Sequence, residues 1–317
     1  MHLKNACVDF LKGYFSTHER RQKTKVAYHS DLAQFQQFAG RKTELLAVNG
    51  SLIEGWAAHL RQSEYSPASI RRKMVALRVF CSYWVRKGVL PESPFWRVKL
   101  SIGRIEQLPR TLTEKEMHSL LARARRNHAA ERKRKSSPES TDVAGTRYRA
   151  LRNLALVDLL FATGMRVGEV SALDMADFRL QEAMFRVQGK GGRDRLAFAV
   201  DEATLKIQRE HLQARKRIDT PSPALFLNAS ATRLSTQGIA NVIAQLREQA
   251  GIERHITPHM LRHTVATLLL RNGVDIRIVQ EFLGHASIAT TQRYTHITKE
   301  HMIAVLRKRH PSLTLRG

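Results

Sequence analysis

The stretch from Thr257 to Tyr294 limits most tightly what this chain can fold into, because its punctuation dictates element after element. Thr257 has the side chain of a helix N-cap, and Pro258 suits the first helical position. Leu268, Leu269 and Leu270 carry that helix into a core, and Asn272-Gly273 ends it. Asp275 caps a second helix that stops at Gly284, with His285 just past the stop. Ser287 can cap a third, short helix carrying Tyr294. His259 and Arg262 are three apart and share one helix face. They lie in the first turn, where unpaired N–H groups and the helix dipole favour an anion. One helical unit thus gathers an anion-binding corner, a second histidine and a tyrosine.

The anion is expected to be nucleic acid. The chain has 317 residues, enough for two domains with proper cores, and a formal net charge of +25 with a pI near 10.9. No uncharged apolar stretch is long enough to span a bilayer, and the first residues lack the apolar core of a signal peptide. Membrane partners are therefore not expected. Cys7 and Cys81 have no metal-ligand spacing and are expected to stay reduced, which points to a cytoplasmic compartment.

Residues 1–100 read as all-helical. Val8, Phe10, Leu11 and Phe15 mark a first amphipathic segment; others cover Thr24 to Ala39, the residues after Asn49-Gly50, and Ala68 to Lys87. The run Arg71-Arg72-Lys73 falls largely off the apolar face of the fourth segment and is read as contacting DNA phosphates. Residues 101–111 have no clear period and form the expected linker. Thr113-x-x-Glu116 is a capping box that opens a second domain, 112–317. Residues 123–149 crowd arginines and lysines around Ser136-Ser137-Pro138 and read as a basic insertion between two helices, either an extra DNA contact or a solvated loop. Leu151 to Ala162 reads as a buried helix that Gly164 caps, which throws Arg166 into a turn. Residues 184–200 alternate on both sides of Gly189-Lys190-Gly191-Gly192 and read as a β-hairpin; the glycine cluster lacks the spacing of a nucleotide-binding loop. Residues 202–217 and 235–250 read as helices. His255, His259 and His263 stand at four-residue spacing, but Pro258 interrupts any continuous helix through them and no carboxylate motif accompanies them, so no metal site is expected. The tail, 299–317, reads as one short helix and a flexible end.

The combination H-x-x-R-H at 259–263, L-G-H at 283–285, Tyr294, and G-x-R-x-x-E at 164–169 resembles the tyrosine recombinase (phage integrase) family, specifically its Xer-like members. The resemblance covers nearly the whole chain. It implies a mainly α fold with a small β-hairpin, arranged as a two-domain, C-shaped DNA clamp: a helical, SAM-like core-binding domain and a catalytic domain. It implies Tyr294 as nucleophile, with Arg166, Lys190, His259, Arg262 and His285 as the other catalytic residues and Glu169 as support for Arg166. It further implies that neither a metal nor ATP is needed, that the partner is double-stranded DNA bearing a specific site, and that a homo- or hetero-tetramer forms in synapsis, the tail docking on a neighbour. The compartment would be the prokaryotic cytoplasm, at the nucleoid. The insertion at 123–149 departs from the family's compact pattern. Two other functions share many of these features: a type IB topoisomerase, and a catalytically idle DNA-binding protein.

Overall fold

The computed structural model describes residues 1–17, 22–40, 42–100, 111–134, 145–179, 181–188, 194–199, 201–284 and 299–315. The chain divides into two compact units, Met1–Gln107 and Leu108–Gly317. No described helix is long and apolar enough to cross a membrane.

The first unit holds four helices: α1 (Leu3–Thr17), α2 (Gln22–Ala39), α3 (Gly50–Gln62) and α4 (Pro67–Arg86). Local chemistry sets their starts. The Asn49 side chain accepts from the backbone N–H of Leu52, and Ser66 from that of Ser69, with Pro67 at the first position of α4. Their apolar faces merge into one core in which Phe10 meets Tyr14, Phe80 and Tyr83 ring to ring. The buried face of α1 is Leu3, Ala6, Cys7, Phe10, Leu11 and Tyr14, whereas Val8, expected on that face, is exposed.

The second unit opens with α5 (Glu114–Lys133). The expected capping box is present: the Thr113 hydroxyl accepts from the Glu116 N–H, and the Glu116 carboxylate accepts from the Thr113 N–H at 2.7 Å. Helix α6 (Thr146–Thr163) is the centre of the unit, buried along most of its length and packed against α5, α8 (Glu202–Lys216) and α10 (Pro258–Arg271). The basic stretch expected as an irregular insertion is helical at both ends. Residues 123–133 continue α5, whose Ala, Arg, Glu and Lys are good helix formers, and 146–149 form the first turn of α6. Residues 135–144 lie outside the described part.

The hairpin forms as expected from β2 (Met184–Val187) and β3 (Arg195–Phe198), antiparallel, with Phe185 opposite Ala197 and Val187 opposite Arg195. A two-residue strand, β1 (Phe178–Arg179), adds to β2 and makes a three-stranded sheet, with the Phe178 and Phe185 rings stacked at 4.3 Å. The remaining helices are α7 (Val167–Ala172), α9 (Thr236–Gln249), α11 (Ile276–Leu283) and α12 (Lys299–Arg309).

The end of the chain is not free. Met302 and Leu306 of α12 enter the same core as α6 and α10, and His310 and Ser312 are each 1% exposed. The Ser312 hydroxyl donates to Asp201 Oδ2 at 2.9 Å and lies 2.7 Å from His310 Nδ1. The expected flexible end is therefore anchored to the chain's own second unit as far as the described residues run. The expected docking on a neighbour would have to replace these contacts.

Candidate active site

Two left-handed glycines shape the site. Helix α6 ends at Gly164, with φ +57°, and α11 ends at Gly284, with φ +65°. A Cβ on Gly164 would stand 2.4 Å from Leu283 Cδ2, and one on Gly284 would stand 2.5 Å from Arg195 Cδ. Glycine is required at both places by backbone conformation and by space. The two helix ends are thereby brought together, and three arginines from different elements meet there.

The last turn of α11 organises them. Its final carbonyls have no partner within the helix and carry the negative end of its dipole. The Phe282 carbonyl accepts from Arg195 Nη1 at 3.4 Å, the Leu283 carbonyl from Arg262 Nη2 at 2.7 Å, and the Gly284 carbonyl from Arg166 Nη2 at 3.1 Å. Arg262 reaches back as well, donating from Nη1 to the Gly164 carbonyl at 2.6 Å. Each guanidinium has five N–H donors, so donors remain for a further acceptor.

Glu169 completes the arrangement. It sits in the first turn of α7, which Arg166 caps. Its carboxylate accepts from the Arg166 backbone N–H, from Arg166 Nη1 and from Arg195 Nη2, each at 2.8 Å. Burial would raise the Glu169 pKa; the charge of Arg195, the Arg166 N–H and the two guanidinium bonds outweigh it and hold the carboxyl below its ordinary range. Arg262 is 7% exposed. Burial first, then the neighbouring charges of Arg166 and Arg195, lowers its pKa to about 10 against the opposing pull of Glu169, which still leaves it cationic at neutral pH.

His259 lies in the first turn of α10, exposed, one residue beyond Pro258. Thr257 caps that helix as expected, its hydroxyl accepting from the Met260 N–H at 3.3 Å. His263, one turn on, is exposed too; partial desolvation, then His259 and Arg262, pushes its pKa down. The described residues contain no group of His, Cys, Asp or Glu able to hold a metal ion.

Of the residues singled out by sequence, Arg166, Glu169 and Arg262 are brought together, and His259 stands three residues before Arg262 on the same helix. Lys190, His285 and Tyr294 lie outside the described residues. The described chain stops one residue before His285, at Gly284, whose carbonyl holds Arg166. Arg195 was not singled out, although a signal exists. It stands opposite buried Val187 and two positions from buried Ala197, so it is a charged residue on the inward face of the hairpin. In the first unit, Arg71 and Arg72 are exposed but Lys73 is not. Lys73 Nζ is buried against Asp31 Oδ1 at 3.1 Å and Gln34 Oε1 at 2.7 Å, and Arg72 also pairs with Asp31. The expected phosphate contact is therefore withdrawn for Lys73: its ammonium is spent on holding α4 to α2.

The phage integrase family model matches residues 110–301, and that of the phage integrase N-terminal SAM-like domain matches residues 8–88. The chain is similar to the tyrosine recombinase XerD of Lacticaseibacillus casei, 33% identical over 291 residues that cover 91% of this chain and 92% of the relative. Its fold is that of the Tn1549 transposon integrase in complex with circular intermediate DNA, at TM-score 0.69 and 18% identity, covering 96% of this chain and 98% of that one. It is also that of a lambda integrase tetramer bound to a Holliday junction, at TM-score 0.65 and 17% identity, covering 94% of this chain and 80% of that one.

Proposed function

The chain belongs to the phage integrase family of tyrosine recombinases, and from that premise we propose that Tyr294 attacks a DNA phosphodiester held by Arg166 and Arg262. The enzyme is a site-specific DNA recombinase: it breaks and rejoins DNA strands. A phenol with a pKa of about 10 is a poor nucleophile in water. It needs a phosphodiester that is fixed in place and made electrophilic. Arg166 and Arg262 each offer a planar fork to the non-bridging oxygens, where charge accumulates in the transition state. His285 adds a hydrogen bond to the same oxygens. His259 takes the phenolic proton. As the tyrosyl oxygen bonds to phosphorus, the bond to the 5′-oxygen breaks, and Lys190 protonates that oxygen. The products are a 3′-phosphotyrosyl link and a free 5′-hydroxyl. The bond energy is kept in the covalent link, so a second strand's hydroxyl can reverse the step on a new partner. Strand exchange between two duplexes calls for four protomers, the assembly in which lambda integrase is seen on a Holliday junction.

What supports these roles is the meeting of Arg195, Arg262 and Arg166 on three successive carbonyls at 282–284, immediately before His285. Such an arrangement leaves a compact positive charge with free donors, a form suited to a tetrahedral phosphorus centre. The test is a suicide duplex, nicked so that the 5′-product diffuses away. Wild type is expected to give a protein–DNA band on a denaturing gel, and Tyr294→Phe is expected to bind the duplex equally and give none. A covalent band from the Phe variant would remove Tyr294 as the nucleophile.

A further inference from the structure

A second cationic site stands at the other end of α6. Arg132 in the last turn of α5, Arg147 in the first turn of α6 and Arg217 at the C-cap of α8 line a cavity of about 420 Å³ with His128, Tyr148 and Glu210. The three arginines are exposed, and none is held in an ion pair among the described residues. Glu210 is the only carboxylate on the described lining. The nearby Glu131 carboxylate is taken by Arg134.

More positive charge lies beneath. The Tyr148 ring stacks at 5.7 Å on His211, which stacks at 4.8 Å on Phe226. Two buried arginines flank this stack and are satisfied by neutral carbonyl oxygens: Arg152 donates to the Leu227 backbone at 2.7 Å and to Asn153 Oδ1 at 2.7 and 3.0 Å, and Arg215 to Ala224 at 2.9 Å and Ser222 at 2.6 Å. Carbonyl oxygens solvate these guanidiniums without cancelling their charge. His211 contributes none, because burial beside Arg152 and Arg215 takes its pKa to about 3. Three guanidiniums therefore line a cavity with one carboxylate on its described lining, and two more lie behind its Tyr148 wall.

The cavity cannot serve the reacting phosphate. Arg147 opens α6 and Arg166 follows its far end, and an 18-residue helix is about 26 Å long. We propose that this cavity is a second phosphate-binding site, which takes a backbone phosphodiester of DNA outside the half-site being cleaved. The proposal rests on the recombinase reading for its choice of polyanion. Exposed arginine forks suit phosphate oxygens bidentately, and an unbalanced cluster of this kind is an electrostatic footprint for nucleic acid. It also gives the basic segment around 123–149 a role, since the described ends of that segment supply Arg132 and Arg147.

The test compares the full chain with Arg132→Gln/Arg147→Gln/Arg217→Gln, and with the same three positions changed to Lys. Thermal melting checks that each variant is folded. Binding is measured against salt on a duplex of core length and on one extended at both ends by at least about eight base pairs, the 26 Å span at 3.4 Å per pair. Wild type is expected to show the steeper salt dependence on the extended duplex. The Gln variant is expected to lose about 1–2 from that slope, at roughly 0.9 per phosphate released, with core-duplex binding unchanged. The Lys variant keeps the charge and is expected to keep most of the slope. An unchanged slope for the Gln variant on extended DNA overturns the proposal, including in the case that the cavity takes an acidic protein segment instead. An equal loss on both duplexes also overturns it. Covalent-complex formation on the core duplex is scored separately, so failure of the recombinase reading appears there and not in the slopes.

Discussion

Replacing Glu169 with glutamine tests whether the arginine cluster depends on a single charge. The carboxylate takes three bonds, each 2.8 Å, from two arginines and one backbone N–H, and its side chain is 12% exposed. Glutamine has nearly the same shape but must turn an NH2 group toward one of those donors. At least one charge-assisted bond is lost, worth about 2–3 kcal/mol. In a unit of this size that lowers the melting temperature by about 4–12 °C. Arg166 would also lose its anchor, and cleavage should fall about 10- to 100-fold, short of the loss expected when a whole oxyanion donor is removed. The pH dependence is the sharper measurement. The Glu169 pKa is lower folded than unfolded. Its contribution is therefore complete above the unfolded value of about 4.3 and fades as pH falls through the folded value. Glutamine does not titrate, and the other carboxylates are common to both proteins. Chemical denaturation at pH 7 and at about pH 3.5 should show the stability gap between wild type and Glu169→Gln narrowing in acid. A gap of the same size at both pH values would refute the argument that a half-buried, charged Glu169 holds Arg166 and Arg195.

Gly164→Ala should destabilise and slow cleavage together. A left-handed alanine costs about 1–2 kcal/mol, and its Cβ would stand 2.4 Å from Leu283 Cδ2, the residue whose carbonyl holds Arg262. Gly168→Ala, with nothing within 4 Å of a new Cβ, is the control; equal melting temperatures for the two variants would contradict this account. Ser312→Ala removes the hydroxyl that donates to Asp201 Oδ2 and lies against His310 Nδ1, leaving Nδ1 only the Ser312 backbone N–H among these contacts, at about 1–3 kcal/mol. A fall of several degrees in thermal melting is expected, and an unchanged transition would mean that the end of the chain is not anchored in solution.

Much of this was legible because the signals are local. Asn49, Ser66, Thr113 with Glu116, and Thr257 each cap the helix their sequence context announces, and glycines 164 and 284 end theirs. The arginine of G-x-R-x-x-E and that of H-x-x-R-H were legible as candidate residues for the same reason, and the structure brings the two together at the end of α11. What was not legible depends on partners far along the chain. Lys73 looks like one of three surface cations until Asp31, 42 positions earlier, is seen to bury it. The end of the chain looks free until Ser312 finds Asp201 across 111 positions. Strand β1 is two residues long, too short for any period to announce it. Arg195 was hidden in another way: alternation predicted the hairpin but drew no attention to a charge on its inner face.

The use of carbonyls to hold these arginines bears on how the proposed site would take a phosphodiester. Three guanidiniums gathered at one helix end repel one another, and a carboxylate for each would relieve that repulsion. It would also neutralise the cluster and remove its attraction for DNA. Carbonyl oxygens at the C-terminus of α11 supply partial negative charge, about half an elementary charge in total, and fix the orientation of each fork. Glu169 supplies one full charge, shared between Arg166 and Arg195. Arg262 receives carbonyls only among its described partners, at Gly164 and Leu283. It is therefore both the most buried and the least neutralised of the three. In the proposed reaction that combination suits a donor aimed at developing phosphorane charge: two carbonyls fix its fork before the substrate arrives, and no carboxylate bonds to it among the described residues.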